Sequence, residues 1–376
     1  MINVINVISD TNIGGAGKCV LTFLKYYDKS RFKVLVVIPE NSLLAPEIEK
    51  LGEEYVTCAG IADKSLGKEG IFALKKIFES YRPDVVHTHG CMSARIAGRL
   101  YGKAKIIYTR HSVFEPSPKI SKGIGKFING AVNNFTADKI IAVAEAAKDN
   151  LTATGVDENK IVVIQNGVEP LKRMSEEEKR VVRADYNVSE NELLLGIVAR
   201  LNEVKGHIYL LEAVKLLKDE GFKFKLLIAG TGDYENNIRT KAQELGVEHD
   251  VIMAGFVSDV RGIMNILDVN MNASFGTEAT SLSLLEGMSL GVPAIVSDFG
   301  GNPGVVTHGE NGLIFKTKDS EDLADKLRMF MSDEGLRQKL SEKSLEIFEK
   351  KFRAEINTKR IEDVYTEVLG KGGKNK

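Results

Sequence analysis

Leu193-Leu194-Leu195-Gly196-Ile197-Val198 runs straight into Ala199-Arg200-Leu201-Asn202-Glu203-Val204-Lys205-Gly206-His207. An uninterrupted apolar run suits a strand buried on both faces. The polar, glycine-containing stretch behind it leads into an amphipathic pattern and reads as a loop opening a helix. The same unit recurs along the chain. Strands are expected near 2–8, 34–38, 84–87, 105–109, 139–143 and 161–164 in the first half. They are expected near 193–198, 225–228, 251–253, 269–271, 293–296 and 313–315 in the second. Apolar strands alternating with helices imply parallel sheets covered on both faces. Two sets imply two doubly wound, Rossmann-like α/β domains facing a central cleft. Gln165-Asn166-Gly167-Val168-Glu169-Pro170 is rich in turn formers and marks the boundary. The expected division falls after residue 166. Ligands of such folds bind at the carboxyl ends of the strands, on loops that start helices.

Composition narrows the function classes. The 376 residues are 43% hydrophobic and 27% charged, which excludes a largely disordered chain. The net charge is −1, so the whole-chain balance offers no argument for a nucleic-acid partner. Residues 1–166 carry 22 basic and 17 acidic side chains, and the remainder carries 29 and 35. A basic half beside an acidic half suggests that the two meet different partners. Cys19, Cys58 and Cys91 are widely spaced, fitting a reducing cytosol better than a disulfide framework. The start, Met1-Ile2-Asn3-Val4-Ile5-Asn6-Val7-Ile8, alternates like a strand and has no basic leader. No apolar run approaches the ~20 residues of a membrane span. A cytoplasmic protein is expected, with peripheral attachment to the inner face of the membrane left open. The charged tail from Gly370 is expected to fray.

Three strand-to-helix junctions carry candidate chemistry. Ser9-Asp10-Thr11-Asn12-Ile13-Gly14-Gly15-Ala16-Gly17-Lys18 lets a ligand approach backbone N–H groups at a helix start. It lacks the spacing of a P-loop or a dinucleotide fingerprint, and a tight βα turn is the plainer reading. At the second junction, Arg200 and Lys205 could clamp a diphosphate, or could be surface charges. The third is Phe275-Gly276-Thr277-Glu278-Ala279-Thr280-Ser281-Leu282-Ser283-Leu284-Leu285-Glu286-Gly287-Met288. Thr280 or Ser281 is the expected N-cap, with Glu278 on the loop before the helix and Glu286 inside it. Glu286 lies among apolar neighbours, where an unpaired carboxylate is costly.

Glu278-x7-Glu286, followed by Gly291-Val292-Pro293 and Gly300-Gly301-Asn302-Pro303, resembles the E-x7-E signature of retaining family 4 glycosyltransferases with the GT-B fold. Ile13-Gly14-Gly15-Ala16, Tyr108-Thr109-Arg110-His111, Asn166-Gly167-Val168 and Ala199-Arg200-Leu201 with Lys205-Gly206 resemble further parts of that family's pattern. The resemblance implies a hexosyltransferase using a nucleotide sugar, expected to be a UDP- or GDP-sugar, and the basic first domain points to cell-envelope polysaccharide or glycolipid synthesis. Arg200 and Lys205 would hold the donor diphosphate, and Glu286 the ribose. Glu278 would hold donor-sugar hydroxyls, and Ala279, Thr280 and Ser281 would meet phosphate or sugar. Phe256 and Val257 would contact the base, and the last helix, over 354–370, would cross back to the first domain, so that 1–166 and 167–353 make up the two domains. His111 would approach the donor sugar, with Gly14 and Gly15 beside phosphate and acceptor. The partners would be the nucleotide sugar and a saccharide or lipid-linked acceptor, without nucleic acid. The chain departs from the family pattern at Ala279, Gln165 and Gly304.

No cofactor or metal is expected: Asp-x-Asp is absent, and a diphosphate held by Arg200, Lys205 and a helix terminus needs no cation. His87 and His89 read as strand-end polar residues rather than a metal pair. Two rivals share these residues, a nucleotide-sugar epimerase of the same fold and a non-catalytic partner of an active transferase. Over 118–135, Ile120, Ile124, Phe127, Ile128, Ala131 and Phe135 share one helical face, with Lys119, Lys122 and Lys126 elsewhere. Such a helix either buries its apolar face in the core or lies in a membrane surface.

Overall fold

The computed structural model describes residues 1–114 and 116–370. The end of the tail expected to fray, 371–376, lies outside the described residues. Two compact units divide the chain: Met1–Gly167 with the segment from Ala354 onward, and Val168–Arg353.

The first unit holds seven strands: β1 (Ile2–Ile8), β2 (Phe32–Pro39), β3 (Glu54–Cys58), β4 (Val85–His89), β5 (Lys105–Arg110), β6 (Lys139–Ala142) and β7 (Ile161–Val163). They form one parallel sheet in the order β3-β2-β1-β4-β5-β6-β7. The second unit holds β8 (Leu193–Val198), β9 (Phe224–Ala229), β10 (Val251–Gly255), β11 (Val269–Asn272), β12 (Ala294–Ser297) and β13 (Gly312–Phe315). Its sheet, also parallel, runs β10-β9-β8-β11-β12-β13. Both are doubly wound sheets, and the strand order reverses between β1 and β4 and between β8 and β11. Those reversals open crevices at the carboxyl ends of the strands.

Burial explains the sequence pattern. Val4, Ile5 and Val7 of β1, and Leu194, Leu195 and Ile197 of β8, lose all or nearly all contact with solvent. Successive side chains enter separate clusters on the two faces of each sheet. β3 escaped the apolar-run criterion. It is an edge strand whose Glu54 and Thr57 are exposed, so only part of it needs to be apolar.

The helix Ala354–Val368 packs in the first unit. Tyr365 is fully buried, edge-on to Phe23 and Phe32. Glu362 accepts from the Asp28 N–H at 2.7 Å and pairs with Arg31, and Asn357 donates to the Gln165 carbonyl at 2.6 Å.

The segment over 118–135 folds as Pro118–Ser121 and Gly123–Thr136. Its apolar side does not face the core. The longer helix buries Gly130, Asn133 and Thr136, while Ile124, Phe127 and Phe135 are 78%, 76% and 70% exposed. Gly130 sets this orientation, because a Cβ there would stand 2.1 Å from the Gly155 carbonyl oxygen. The helix approaches backbone to backbone on its small, polar side.

Candidate active site

In the second unit the loops after β8 and β11 meet at the strand-order reversal. Gly206 has φ +72°, and a Cβ there would lie 2.1 Å from the Ala273 carbonyl oxygen. Only glycine permits that approach. It brings Lys205 over Glu278, with Nζ 2.7 Å from Oε2. Asn272 Nδ2 and Ser274 Oγ donate to the same oxygen at 2.9 and 3.0 Å. Glu278 is 7% exposed, and its charge is compensated by one cation and two neutral donors. All three bonds fall on Oε2. Oε1 has no partner among the described residues, so the carboxylate is oriented while one oxygen stays available.

A second layer holds the loop. The Gly301 N–H donates to the Glu278 carbonyl at 3.2 Å, and Gly300, at φ +61°, passes so close that a Cβ would sit 2.3 Å from that oxygen. Ser297 Oγ donates to the Ser274 carbonyl at 2.6 Å, and Asn302 Nδ2 donates to Ser297 Oγ at 3.0 Å.

None of the other expected residues of this unit hydrogen-bonds to Glu278 Oε2. Arg200 is exposed at the carboxyl end of β8. Ala279 and Thr280 are buried, and Ser281 occupies the N-cap of the helix Leu282–Met288. The Ser281 hydroxyl lies 3.2 Å from Ser283 Oγ rather than on a cap N–H. Glu286 is half-buried within that helix. Phe256, 75% exposed, and half-buried Val257 follow β10 at the sheet edge. Sequence reasoning missed Asn272 and Ser274. The available signal was asparagine in an otherwise apolar buried strand, Val269-Asn270-Met271-Asn272.

In the first unit the strand ends carry three histidines. His87 Nδ1 lies 2.7 Å from the Tyr365 hydroxyl and Nε2 2.6 Å from Thr109 Oγ1. His89 Nδ1 lies 2.8 Å from His111 Nε2. Burial pushes His87 down to about 3 and His111 to about 4, and holds His89 well below the usual imidazole range. His111 is therefore neutral at pH 7, able to donate one hydrogen bond and accept another. It opens on a cavity of about 630 Å³ with His89, Arg95 and Arg110 in its wall. Gly14 caps the helix Gly15–Tyr26 without a side-chain bond, and open space lies where a Gly15 Cβ would point. Both glycines stand between Asp10 and Ala16, which line the same cavity.

These histidines give an acid-stability prediction. His207, in the second unit, is also buried, without partners on either ring nitrogen, and is pushed to about 4. A histidine whose folded pKa is depressed leaves stability unaffected above pH ~6.5. Below that, the unfolded chain takes up protons the folded chain refuses, and stability falls until the folded pKa is reached. The first unit, with three such histidines, is expected to lose denaturant resistance first between pH 6.5 and 4. Urea titrations followed unit by unit would check this. An equal pH response of the two units, or none, would contradict it.

Comparison with known proteins agrees with this architecture. The family model "Glycosyltransferase Family 4" matches residues 13–171, and "Glycosyl transferases group 1" matches residues 178–346. The "Putative glycosyltransferase EpsD" of Bacillus subtilis is 28% identical over 315 residues, covering 81% of each chain. The Escherichia coli UDP-Gal:alpha-D-GlcNAc-diphosphoundecaprenol alpha-1,3-galactosyltransferase is 24% identical over 86% of each. Anabaena HepE, solved in complex with UDP, superposes with a TM-score of 0.84 at 20% identity, over 97% of this chain and all of the other. At that identity the superposition speaks for the fold. With both halves matched in order, the chain belongs to the family 4 glycosyltransferases and is a glycosyltransferase of GT-B fold.

Proposed function

We propose that the protein transfers a hexosyl unit from a UDP- or GDP-sugar to an acceptor hydroxyl, with retention of configuration, in cell-envelope polysaccharide or glycolipid synthesis. The observation that carries this reading is the Lys205–Glu278 pair at the sheet reversal of the second unit, with Glu278 Oε1 unengaged. Glu278 accepts from sugar hydroxyls through Oε1. Lys205, with three ammonium protons, and Arg200, with its planar fork, neutralise the diphosphate that leaves. Backbone of Ala279, Thr280 and Ser281 meets phosphate or sugar, and Glu286 takes the ribose hydroxyls. The base lies toward Phe256 and Val257. β10 stands two strands from β8, about 10 Å at the usual strand spacing, which suits a nucleotide laid along the strand ends. His111, neutral, positions a sugar hydroxyl, and Gly14 and Gly15 allow close approach of backbone to phosphate and acceptor. Retention rests on the spacing of Glu278 and Glu286 and its likeness to the family signature.

The outward apolar side of the helix Gly123–Thr136 supports peripheral contact with a membrane. Lys119, Lys122 and Lys126 accompany it, and residues 116–137 contain no acid, as an anionic lipid surface favours.

A thermal-shift panel of nucleotides tests the donor reading. A nucleotide at 100 times its dissociation constant adds about 2.7 kcal/mol to the unit that binds it. That raises the melting temperature of a unit this size by about 5–10 °C. UDP or GDP is expected to do this and adenosine diphosphate is not. Failure of every uridine and guanosine nucleotide would remove the reading.

A further inference from the structure

Arg95 is an arginine without an acid. It projects from the helix Met92–Tyr101, and it is 5% exposed. Its Nη1 donates to Asn133 Oδ1 at 2.9 Å, its guanidinium stacks 4.3 Å over the Tyr108 ring, and its Nε has no partner. Burial lowers its pKa, against an opposing effect of Tyr108 and Cys91, and the charge of Arg110 acts in the lowering direction. Arg110 in turn bonds neutral groups: the Ser112 carbonyl at 3.0 Å, the Tyr108 hydroxyl at 3.4 Å and Asn150 Oδ1 at 3.4 Å. No carboxylate pairs with either guanidinium among the described residues. Two cations in one wall, one of them buried and under-bonded, are costly unless something negative joins them. Both line the cavity of about 630 Å³, together with Asn129, Asn133 and Asn150.

The cavity is polarised. Asp10 and Asp63 also line it, but they follow β1 and β3, whereas Arg95 and Asn150 follow β4 and β6 and Arg110 ends β5. The sheet order therefore sets the acids and the arginines on opposite sides. Asp63 already accepts from the N–H and hydroxyl of Thr11, and Asp10 from the N–H of Asn12. His89 and His111 stand in the wall as well, as neutral hydrogen-bonding groups.

We propose that this cavity binds a phosphate-bearing sugar acceptor, with Arg95 and Arg110 gripping the phosphate and Asp10, Asp63 and His111 available to its hydroxyls. The inference rests on the glycosyl-transfer reading for the word acceptor, but the phosphate site stands on the first unit's own residues. The helix that supplies Asn129 and Asn133 to the wall turns Ile124, Phe127 and Phe135 outward. A phosphate carried on a lipid and one carried on a soluble sugar present the same group to Arg95.

The test measures the melting temperature of the full chain with inorganic diphosphate, glucose 1-phosphate or glucose, at constant ionic strength, with UDP run in parallel. Wild type and Lys205→Ala are expected to be stabilised by diphosphate and glucose 1-phosphate but not by glucose. Added to Lys205→Ala, Arg95→Gln and Arg110→Gln are each expected to weaken binding of these anions about tenfold to hundredfold, the usual loss for a charge-assisted pair. UDP should behave in the opposite way, weakened in Lys205→Ala and unchanged in Arg95→Gln. A purely structural Arg95 would lower the unliganded melting temperature on replacement and leave the anion response intact. Loss of UDP binding everywhere, with the Arg95-dependent anion response preserved, would remove the transfer reading and keep the site. Sedimentation with phosphatidylcholine vesicles containing farnesyl diphosphate separates the sources. Arg95-dependent capture by those vesicles indicates a lipid-borne phosphate, and its absence beside a glucose 1-phosphate response indicates a soluble one. An anion response equal to that of glucose, or unchanged in both arginine variants, would overturn the proposal.

Discussion

Glu278→Gln is expected to reduce kcat by about 10²–10³-fold, the range found when one aligned electrostatic group is removed from a transition state. The amide has the shape of the carboxylate. Its oxygen can still accept from Asn272 and Ser274, which now hold Oε2 at 2.9 and 3.0 Å. The charge is lost, and with it the pairing to Lys205 and the attraction for hydroxyls at Oε1. The loss should fall on kcat more than on KM, because a sugar becoming positively polarised needs the negative charge most in the transition state. The variant should remain folded, since neither the Gly300–Gly301 contact nor the Ser297–Asn302 layer involves the carboxylate. Steady-state kinetics with the donor identified by the nucleotide panel would measure this. Unchanged kcat would separate Glu278 from the chemistry.

Gly300→Ala is expected to cost both stability and activity. At φ +61° a side chain pays about 1–2 kcal/mol for the left-handed conformation. The added Cβ would also stand 2.3 Å from the Glu278 carbonyl oxygen, a backbone atom that cannot swing aside. Relieving such a clash typically costs a further ~1–3 kcal/mol. The sum, about 2–5 kcal/mol, corresponds to a fall of roughly 4–20 °C in the melting of the second unit. The relief must come from the loop that carries Glu278, so residual activity should fall further than lost stability explains. Gly309→Ala provides the control, with a similar φ of +75° and open space around its Cβ. Calorimetry of both variants checks the argument. Equal destabilisation by the two would contradict the close approach.

Much of this was legible in the chain, for identifiable reasons. A parallel strand covered on both faces must be apolar throughout, so 193–198, 225–228 and 313–315 announce themselves. Glu54–Cys58 did not, because an edge strand is relieved of that requirement. Glu278 and Lys205 were visible by position and by resemblance, but their hydrogen-bonded contact was not. It depends on Gly206 admitting the Ala273 carbonyl, a long-range fit that no local pattern encodes. The helix over 123–136 shows the opposite limit. Periodicity identified its apolar face and could not say which way that face points. The answer lay in Gly130, whose missing side chain lets the polar side approach Gly155. Arg95 went unnoticed because an arginine between Ala94 and Ile96 looks like any helix surface residue until its burial is known.

Calorimetric titration of UDP into the wild type and Lys205→Ala tests the donor site most directly. The site predicts saturable binding to the wild type, weakened at least about tenfold in the variant by loss of a charge-assisted contact to phosphate. Equal affinity in the two proteins, or no binding of UDP or GDP to the wild type, would contradict it.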